Sequence, residues 1–220
     1  IILCTPTNSN GEVNAAVLYA AQLVGITQIY KIGGVQAIAA MAYGTNSVPQ
    51  VYKIFGPGNQ YVTCAKQLIN KEGIAIDMPA GPSEVAVIAD KTSVPSFVAA
   101  DLLSQAEHGA DSQVILVSNE LEVIEKVNQE LLLQLKQLSR NSIAEKALQN
   151  SKAILVKTLE EGIALLNEYA PEHLIIACEN EEALCEKVTN AGSVFLGNYS
   201  CESAGDYASG TNHTLPTNGY

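Results

Sequence analysis

Two side chains able to bind a transition metal lie three residues apart in the segment DLLSQAEHG, residues 101–109. If the helix predicted here extends to residue 108, Gln105 and His108 lie on one face, about one turn apart. Histidine nitrogen is a common zinc ligand, and an amide oxygen is a harder and rarer one. The same residues also suit a polar helix end, with His108 near the negative end of the helix dipole and Gly109 at the C′ position. The segment alone leaves both interpretations open.

A glutamate and a histidine are adjacent in YAPEHL, residues 169–174. Pro171 ends the predicted helix, so Glu172 and His173 occupy a junction between a helix and a strand. Ligands of open α/β sheets bind at the carboxyl ends of strands, and we expect the junction to lie at such a sheet edge. A Glu–His pair can divide base and acid work if its surroundings bring both pKa values toward neutrality. An exposed loop pair without a function is the alternative.

Two glycine-rich turns follow predicted strands in the first part of the chain. FGPGNQY, residues 55–61, has two glycines of a dinucleotide-binding fingerprint but a tyrosine in place of the third. Asp77 lies about 20 residues further on, where that fingerprint has its ribose-binding acid. GGVQ, residues 33–36, is the second turn, and its backbone amides could also meet an anion. Either segment can equally be a tight turn that binds nothing.

A long polar segment, CESAGDYASGTNHTLP, residues 201–216, follows the last apolar strand pattern and contains Asp206 and His213. Loops of this length and composition are often functional. The segment can equally be the connection to a further domain. Neither GxSxG nor HExxH occurs in the chain.

Apolar segments with strand and helix periodicity alternate along the chain, which predicts mostly parallel sheets covered by helices. The first series has the order βαβαβαβ and a second α/β series starts after AGPSE, residues 80–84. We therefore predict an α/β fold of two lobes, residues 1–82 and residues 83–220. Residues 121–149 are predicted to be helical with a break near Ser139.

Composition limits the classes of partner. Hydrophobic residues make up 47% of the 220 residues, which suits a globular core, and no apolar run is long enough to span a bilayer. The net charge is −11, with most acids after residue 82, so nucleic acid is not the expected partner. Five scattered cysteines without CxxC indicate reduced thiols and a cytoplasmic location, and no signal peptide is evident.

Taken together, several of these segments resemble histidinol dehydrogenase. GPGNQYVTCAK, IDMPAGPSEV, DLLSQAEHG, YAPEHL and ESAGDYASGTNHTLPT occur in the order and at the separations found in that family. The resemblance covers essentially the whole chain, and family members extend further at both ends. It implies two incomplete Rossmann-like lobes, the first on the nucleotide side and the second carrying zinc and the catalytic residues.

The resemblance also implies a zinc site. Gln105, His108 and Asp206 match three ligands of one Zn²⁺ ion. The family's fourth ligand is a histidine in a C-terminal segment of the partner subunit of a homodimer, and this sequence stops before that segment. His213 does not match a ligand. The three ligands also match substrate contacts, because zinc in the family holds the imidazole and amine of the substrate.

Other residues match catalytic and binding positions of the family. Glu172 matches the base that activates water, and His173 matches the acid/base beside the substrate hydroxyl and a substrate contact. Ser83 matches a further substrate contact. Gln36 and Asn59 match contacts to NAD⁺, whereas a nucleotide-binding tyrosine of the family would precede residue 1.

The implied reaction is the four-electron oxidation of L-histidinol to L-histidine through the aldehyde with two NAD⁺, the last step of histidine biosynthesis. Because the chain looks like a truncated core, we expect it to have little or no activity alone. Two other hypotheses stay open: a zinc-dependent hydrolase on an α/β scaffold, with Glu172 activating metal-bound water, and a folded fragment without catalytic activity.

Overall fold

A computed structural model of the chain describes residues 1–77, 79 and 84–209, except for the side chain of Asp206. The chain divides into two compact units, Ile1–Ala80 and Gly81–Tyr220. The boundary predicted from sequence, near residue 82, lies two residues further along.

The first unit contains parallel strand pairs that alternate with helices, in the order predicted. Its strands are β1 (Ile2–Cys4), β2 (Gln28–Tyr30), β3 (Lys53–Ile54) and β4 (Ala75–Ile76), and its helices are α1 (Ala15–Leu23), α2 (Gly34–Tyr43) and α3 (Gln60–Lys71). Strand β1 pairs with β2 and β3 pairs with β4, both in parallel. The strands therefore form two separate two-stranded ladders, where the sequence suggested one continuous series.

The core of the first unit lies between α2, α3 and the β3–β4 ladder. Ile38, Ala42, Ile54 and Ile69 are buried together there. Helix α1 differs, because Ala21 is its buried residue while Leu18, Tyr19 and Leu23 are exposed. An apolar helix surface of this kind usually marks a contact with further protein.

The second unit is a doubly wound α/β domain. Its described strands are β5 (Glu84–Ala89), β6 (Gln113–Ser118), β7 (Lys152–Leu155), β8 (His173–Ala177) and β9 (Ser193–Leu196). Its described helices are α4 (Pro95–Ala106), α5 (Leu121–Leu135), α6 (Asn141–Asn150), α7 (Leu159–Tyr169), α8 (Glu181–Cys185) and α9 (Ser203–Tyr207). The sheet is parallel throughout, with the order β7-β6-β5-β8-β9. Numbered from its first strand this is 3-2-1-4-5, the order of Rossmann-like sheets.

Strand β5 shows why this sheet needs helices on both faces. All six of its residues are buried, and successive side chains point to opposite faces. Val85 and Val87 belong to the core packed against α4, α5 and α6, whereas Ala86 and Ile88 belong to the core packed against α7 and α8. The continuous apolar sequence from Val85 to Ala89 therefore serves two hydrophobic layers.

Helix α7 approaches the sheet closely at Gly162. A Cβ atom at this glycine would lie 2.8 Å from Ile88 Cδ1 and 3.0 Å from Val117 Cγ1. At distances this short, a side chain at residue 162 would require Ile88, Val117 or the helix itself to shift. Gly162 thus sets the spacing between α7 and strands β5 and β6.

The helix predicted over residues 121–149 with a break near Ser139 is confirmed as α5 and α6. The polar segment after β9 differs from its prediction as a loop, since it contains the short helix α9. Among the described helices, none combines the length and the apolar character needed to cross a bilayer. All five cysteines are free thiols, as expected.

Candidate functional site

Glu172 and His173 lie at the amino end of the sheet in the second unit. Helix α7 ends at Tyr169, Ala170 adopts a left-handed conformation with φ of 55°, and His173 is the first residue of β8. The expectation based on carboxyl ends of strands is therefore wrong here. A helix that leads into a parallel strand reaches it at the strand's start, so the junction necessarily lies at the amino edge.

Other polar residues start the neighbouring strands at this edge. Glu84 is the first residue of β5 and Gln113 the first of β6, and they pair in register. The backbone N–H of Glu84 donates to Oε2 of Glu172 at 3.3 Å. This bond joins residues 88 positions apart and fixes the Glu172 carboxylate against the central strand.

The imidazole of His173 lies between two carboxylates. Its Nδ1 atom is 3.8 Å from Oε2 of Glu172 and 3.9 Å from Oε1 of Glu202. The side chains of Glu172 and His173 are each 14% exposed, so solvent screens these charges only weakly. Negative charge on both sides stabilises the imidazolium that forms when His173 takes up a proton. The arrangement suits a proton acceptor that later returns the proton.

Glu202 was missed by the sequence analysis. It is 3% exposed and directly precedes α9, with Oε2 accepting from the Ser104 hydroxyl at 2.6 Å. Its backbone N–H donates to Oδ1 of Asp101 at 3.4 Å. The signal in the sequence is its position four residues before Asp206, one helical turn away. Because the segment was predicted to be a loop, this helical spacing was not considered.

Burial changes the protonation of two carboxyl groups near the site. Burial raises the pKa of Glu84 to about 7, and the interactions with the Tyr169 side chain and the Glu172 backbone, which lower this pKa, offset the rise only in part. Desolvation likewise raises the pKa of Asp101 to about 6, against the effect of the Glu202 amide. The hydroxyl of Tyr169 donates its one hydrogen to Oε1 of Gln113 at 2.7 Å. A protonated Glu84 can therefore donate to the Tyr169 oxygen without competing for that hydrogen.

Helix α4 ends before His108, whereas the predicted metal site had both ligands on the helix. Its last residue is Ala106, Glu107 is the C-cap, and His108 lies in the turn that follows. The prediction of a helix reaching residue 108 is therefore wrong, as is the alternative with Gly109 at C′. The His108 N–H donates to the Gln105 carbonyl at 3.1 Å, a three-residue spacing that tightens the chain after the last helical turn.

Gln105 shows the strongest sign of a missing ligand. Its residue surface is 1% exposed, and within the described part of the chain neither Oε1 nor Nε2 has a hydrogen-bond partner. A buried amide without partners costs about 1–3 kcal/mol for each unsatisfied group. A metal ion or a substrate atom bound to the amide would remove that cost, so Gln105 fits a ligand position. His108 is exposed, and Arg140 donates to its backbone carbonyl at 3.3 Å.

Two of the predicted zinc and substrate residues, Asp206 and Ser83, lie wholly or partly outside the described part of the chain, as does His213, which was not expected to be a ligand. The side chain of Asp206 is outside the description, although its backbone belongs to α9. Ser83 and His213 lie outside the described residues. Among the described side chains, no group of three or more His, Cys, Asp or Glu residues could hold a metal. Convergence of Gln105, His108 and Asp206 therefore stays a prediction.

In the first unit, Asn59 caps the helix that follows the first glycine-rich turn. Its Oδ1 accepts from the N–H groups of Tyr61 at 3.1 Å and Val62 at 3.2 Å. The side-chain oxygen and two helix amides thus satisfy one another, which leaves the Asn59 NH₂ group to donate to a ligand. Gln36 is exposed in the first turn of α2, and a Cβ atom on Gly34 would lie 3.2 Å from its Oε1.

Asp77, which lies at the spacing of a ribose-binding acid, is bonded to other residues of the first unit. One carboxylate oxygen accepts from the ammonium of Lys66, and the other accepts from the Gly56 N–H at 2.7 Å. Lys66 also donates to the Gly56 carbonyl at 2.8 Å. Both oxygens of Asp77 are thus bonded within the unit, because the spacing of about 20 residues brings the acid back beneath the turn.

Comparisons with known proteins give a consistent result. The family model described as histidinol dehydrogenase matches residues 1–220. Histidinol dehydrogenase of Bacteroides thetaiotaomicron is 63% identical over the whole chain, and that of Pseudoalteromonas translucida is 58% identical. The crystal structure of histidinol dehydrogenase from Elizabethkingia anophelis has 62% identity and a TM-score of 0.93 over all of this chain. In each case this chain covers 51% of the other protein.

A more distant structure shares the fold alone. An acetylating aldehyde dehydrogenase from Geobacillus thermoglucosidasius superposes over 88% of this chain with a TM-score of 0.55 and 16% identity. The two-unit α/β architecture therefore extends to dehydrogenases with little sequence in common.

Proposed function

Because this chain belongs to the histidinol dehydrogenase family, we propose that it forms the central part of an enzyme that oxidises L-histidinol to L-histidine. The observation that carries the proposal is the family match over every residue from 1 to 220. The reaction consumes one water and two NAD⁺ and releases two NADH and three protons per histidinol. NAD⁺, when bound, accepts a hydride in each of the two oxidations.

His173 is the proposed acid/base for the alcohol. Its imidazole takes the hydroxyl proton when the first hydride leaves, and Glu172 and Glu202 stabilise the cation that results. This role requires a neutral imidazole at the start and a nearby negative charge at the end. The distances of 3.8 and 3.9 Å to the two carboxylates support the second requirement.

Glu172 is the proposed base for the second half of the reaction. The aldehyde intermediate has to gain water before it can lose another hydride, and a carboxylate can remove the proton from that water. The Glu84 N–H donates to Oε2 of Glu172 and so holds this carboxylate at the start of the central strand. Because the pKa of Glu84 is raised to about 7, this buried carboxyl carries less negative charge behind Glu172 near neutral pH than an ordinary glutamate would.

Gln105, His108 and Asp206 are the proposed zinc ligands of this chain, and together with Ser83 and His173 they are the proposed substrate contacts. Zinc would hold the substrate in place rather than activate its hydroxyl. The unsatisfied amide of Gln105 supports this assignment. Gln36 and Asn59 are the proposed NAD⁺ contacts. We further propose that the whole protein is a homodimer whose partner subunit supplies the fourth ligand, a histidine.

The experiment that tests the function measures NADH formed per histidinol consumed by the full-length protein with zinc supplied. Two NADH per histidinol is the expected result. A folded, zinc-loaded protein that forms no NADH would contradict the proposal and favour a zinc-dependent hydrolase.

Variants of the same protein separate the roles. Glu172→Gln should slow the overall oxidation about 10²-fold or more, because it removes a general base, while zinc content stays normal. His108→Ala should lower zinc content and activity together. Exposed Glu182 provides the matched control, since Glu182→Gln should change neither quantity. Full zinc content in His108→Ala would refute the ligand assignment.

A further inference from the structure

The turn between β3 and α3 has a backbone shape that only glycine adopts easily. Gly56 has φ of +138°, and a Cβ atom on Gly58 would lie 2.5 Å from Val62 Cγ1. Neither glycine has a side chain that could hold the turn. Both backbone polar groups of Gly56 are instead bonded by Lys66 and Asp77.

The pair that holds the turn is itself unusual. The Lys66 side chain is 2% exposed and that of Asp77 is 19% exposed. A buried ammonium is strongly destabilising unless charge and hydrogen bonds compensate it, and a well-packed apolar pair would often be at least as stable. Lys66 meets this condition through Asp77 and the Gly56 carbonyl. An apolar pair could stabilise the folded chain as well as this ion pair does. The ion pair differs in that it also bonds the backbone of Gly56, which points to a role in shaping the turn.

We propose that Lys66 and Asp77 form a brace that holds the turn from Gly56 to Asn59 in the shape that binds the nucleotide. This inference rests on the proposed function, and it makes both residues positioning residues with no contact to the nucleotide. Asn59 begins α3 directly after the turn, so the path of the turn sets where its NH₂ group points. The brace also explains why an aspartate lies at the spacing of a ribose-binding acid without binding ribose.

The test uses the full-length protein, with NAD⁺ and histidinol varied independently. Lys66→Met should raise KM for NAD⁺ about tenfold or more, with kcat at saturating NAD⁺ and KM for histidinol changed by less than about threefold. Asp77→Asn should act in the same direction, and the double variant should be no worse than the poorer single variant, because one unit is lost once. Lys71→Met, on the same helix but exposed, is the control and should leave all constants unchanged.

The outcomes separate the brace from the function. If the unmodified protein fails to bind NADH in a fluorescence titration, the proposed function fails and the brace fails with it. If the unmodified protein binds NADH and Lys66→Met binds it equally well, the brace alone is wrong. A uniform loss of kcat and of affinity for both substrates, together with a lower melting temperature, would also overturn it in favour of a purely structural pair. Should Lys66→Met not fold, Asp77→Asn, which keeps the shape of the side chain, decides the question.

Discussion

At the scale of single residues, His173 shows how much a position in a sheet adds to a side chain's chemistry. The sequence indicated the Glu172–His173 pair because the two residues are adjacent and follow a proline. It could not show that Glu202, 29 residues further along the chain, lies beside His173 and adds a second carboxylate near the ring. Adjacent residues can be predicted from the sequence, whereas partners that depend on how distant segments pack require the structure.

Lys66 makes the same point in the first unit. A lysine in the middle of a predicted helix gives no reason to expect burial, since lysines are almost always exposed. Its role depends on Gly56 and Asp77, which lie 10 and 11 residues away on either side. The fingerprint spacing drew attention to Asp77, but it gave no sign that this carboxylate would bond to Lys66 and to the Gly56 N–H.

The buried carboxyl of Glu84 leads to a prediction on pH. Its pKa rises from 4.5 when exposed to about 7 in the folded chain, so the folded state binds the proton more tightly than the unfolded state. Protonated Glu84 therefore makes its full contribution to the free energy of unfolding below pH 4.5, and this contribution is lost as the pH rises through about 7. This contribution of Glu84 to the free energy of unfolding is on the order of 3 kcal/mol. Glu84→Gln, which mimics the neutral acid, should raise the free energy of unfolding at pH 8 by about 1–3 kcal/mol and leave it nearly unchanged at pH 4.5.

Urea denaturation across this pH range measures the effect. The difference between the variant and the parent should grow from pH 4.5 to pH 7 and then level off. Asp101, whose pKa is also raised, contributes equally to both proteins and cancels in the comparison. If the free energies of unfolding of the two proteins instead changed with pH in parallel, the pKa of Glu84 would not be raised in the folded chain.

At the scale of secondary-structure elements, the alternation of strands and helices could be predicted from periodicity, but the ends of the helices could not. Helix α4 ends at Ala106 because the next N–H groups turn back to carbonyls of the last turn, a geometry that leaves no mark in residue type. Helix α9 is only five residues long and includes a glycine, so its periodicity is too short to detect. Both errors fall on segments that carry proposed zinc ligands.

Gly162 provides the prediction at this scale. Replacing an interior helix glycine by alanine normally stabilises a helix by about 1 kcal/mol. Gly162→Ala should instead destabilise the second unit by about 1–3 kcal/mol, because its methyl group would overlap Ile88 and Val117. Glu168→Ala, at an exposed position of the same helix, is the matched control and should change stability by less than about 0.5 kcal/mol. Thermal unfolding compares the three proteins, and a stabilised Gly162→Ala would show that α7 can move away from the sheet.

At the scale of the whole molecule, the sequence predicted two α/β units and placed their boundary close to the division in the structure. It could not predict that strands of the first unit form two separate ladders. That outcome depends on which short strands reach one another, and strands of two or three residues carry almost no pattern of their own. The longer buried strands of the second unit carried a clear signal, since each is apolar along nearly its whole length.

The chain spans about half the length of the curated relatives it matches, which gives a prediction on the isolated 220-residue chain. One proposed zinc ligand comes from outside it, and the apolar surface of α1 is uncovered within it. We expect weak zinc binding and little or no NADH production from this chain alone. Zinc titration measures the binding, and a histidinol assay measures NADH production, each with the full-length protein as the reference. Robust turnover by the short chain would contradict the expectation.

The strand order of the second unit also has a consequence for how the protein is made. Strand β5 is synthesised first and lies in the middle of the sheet, but its neighbour β8 follows 88 residues later. At about 5–20 residues per second, the ribosome needs roughly 4–18 s to deliver β8. During that interval a strand that is apolar from Val85 to Ala89 has an unpaired edge in the nascent chain, which invites pairing with other chains. The yield of folded protein should therefore depend on translation speed and chaperone supply between these two strands.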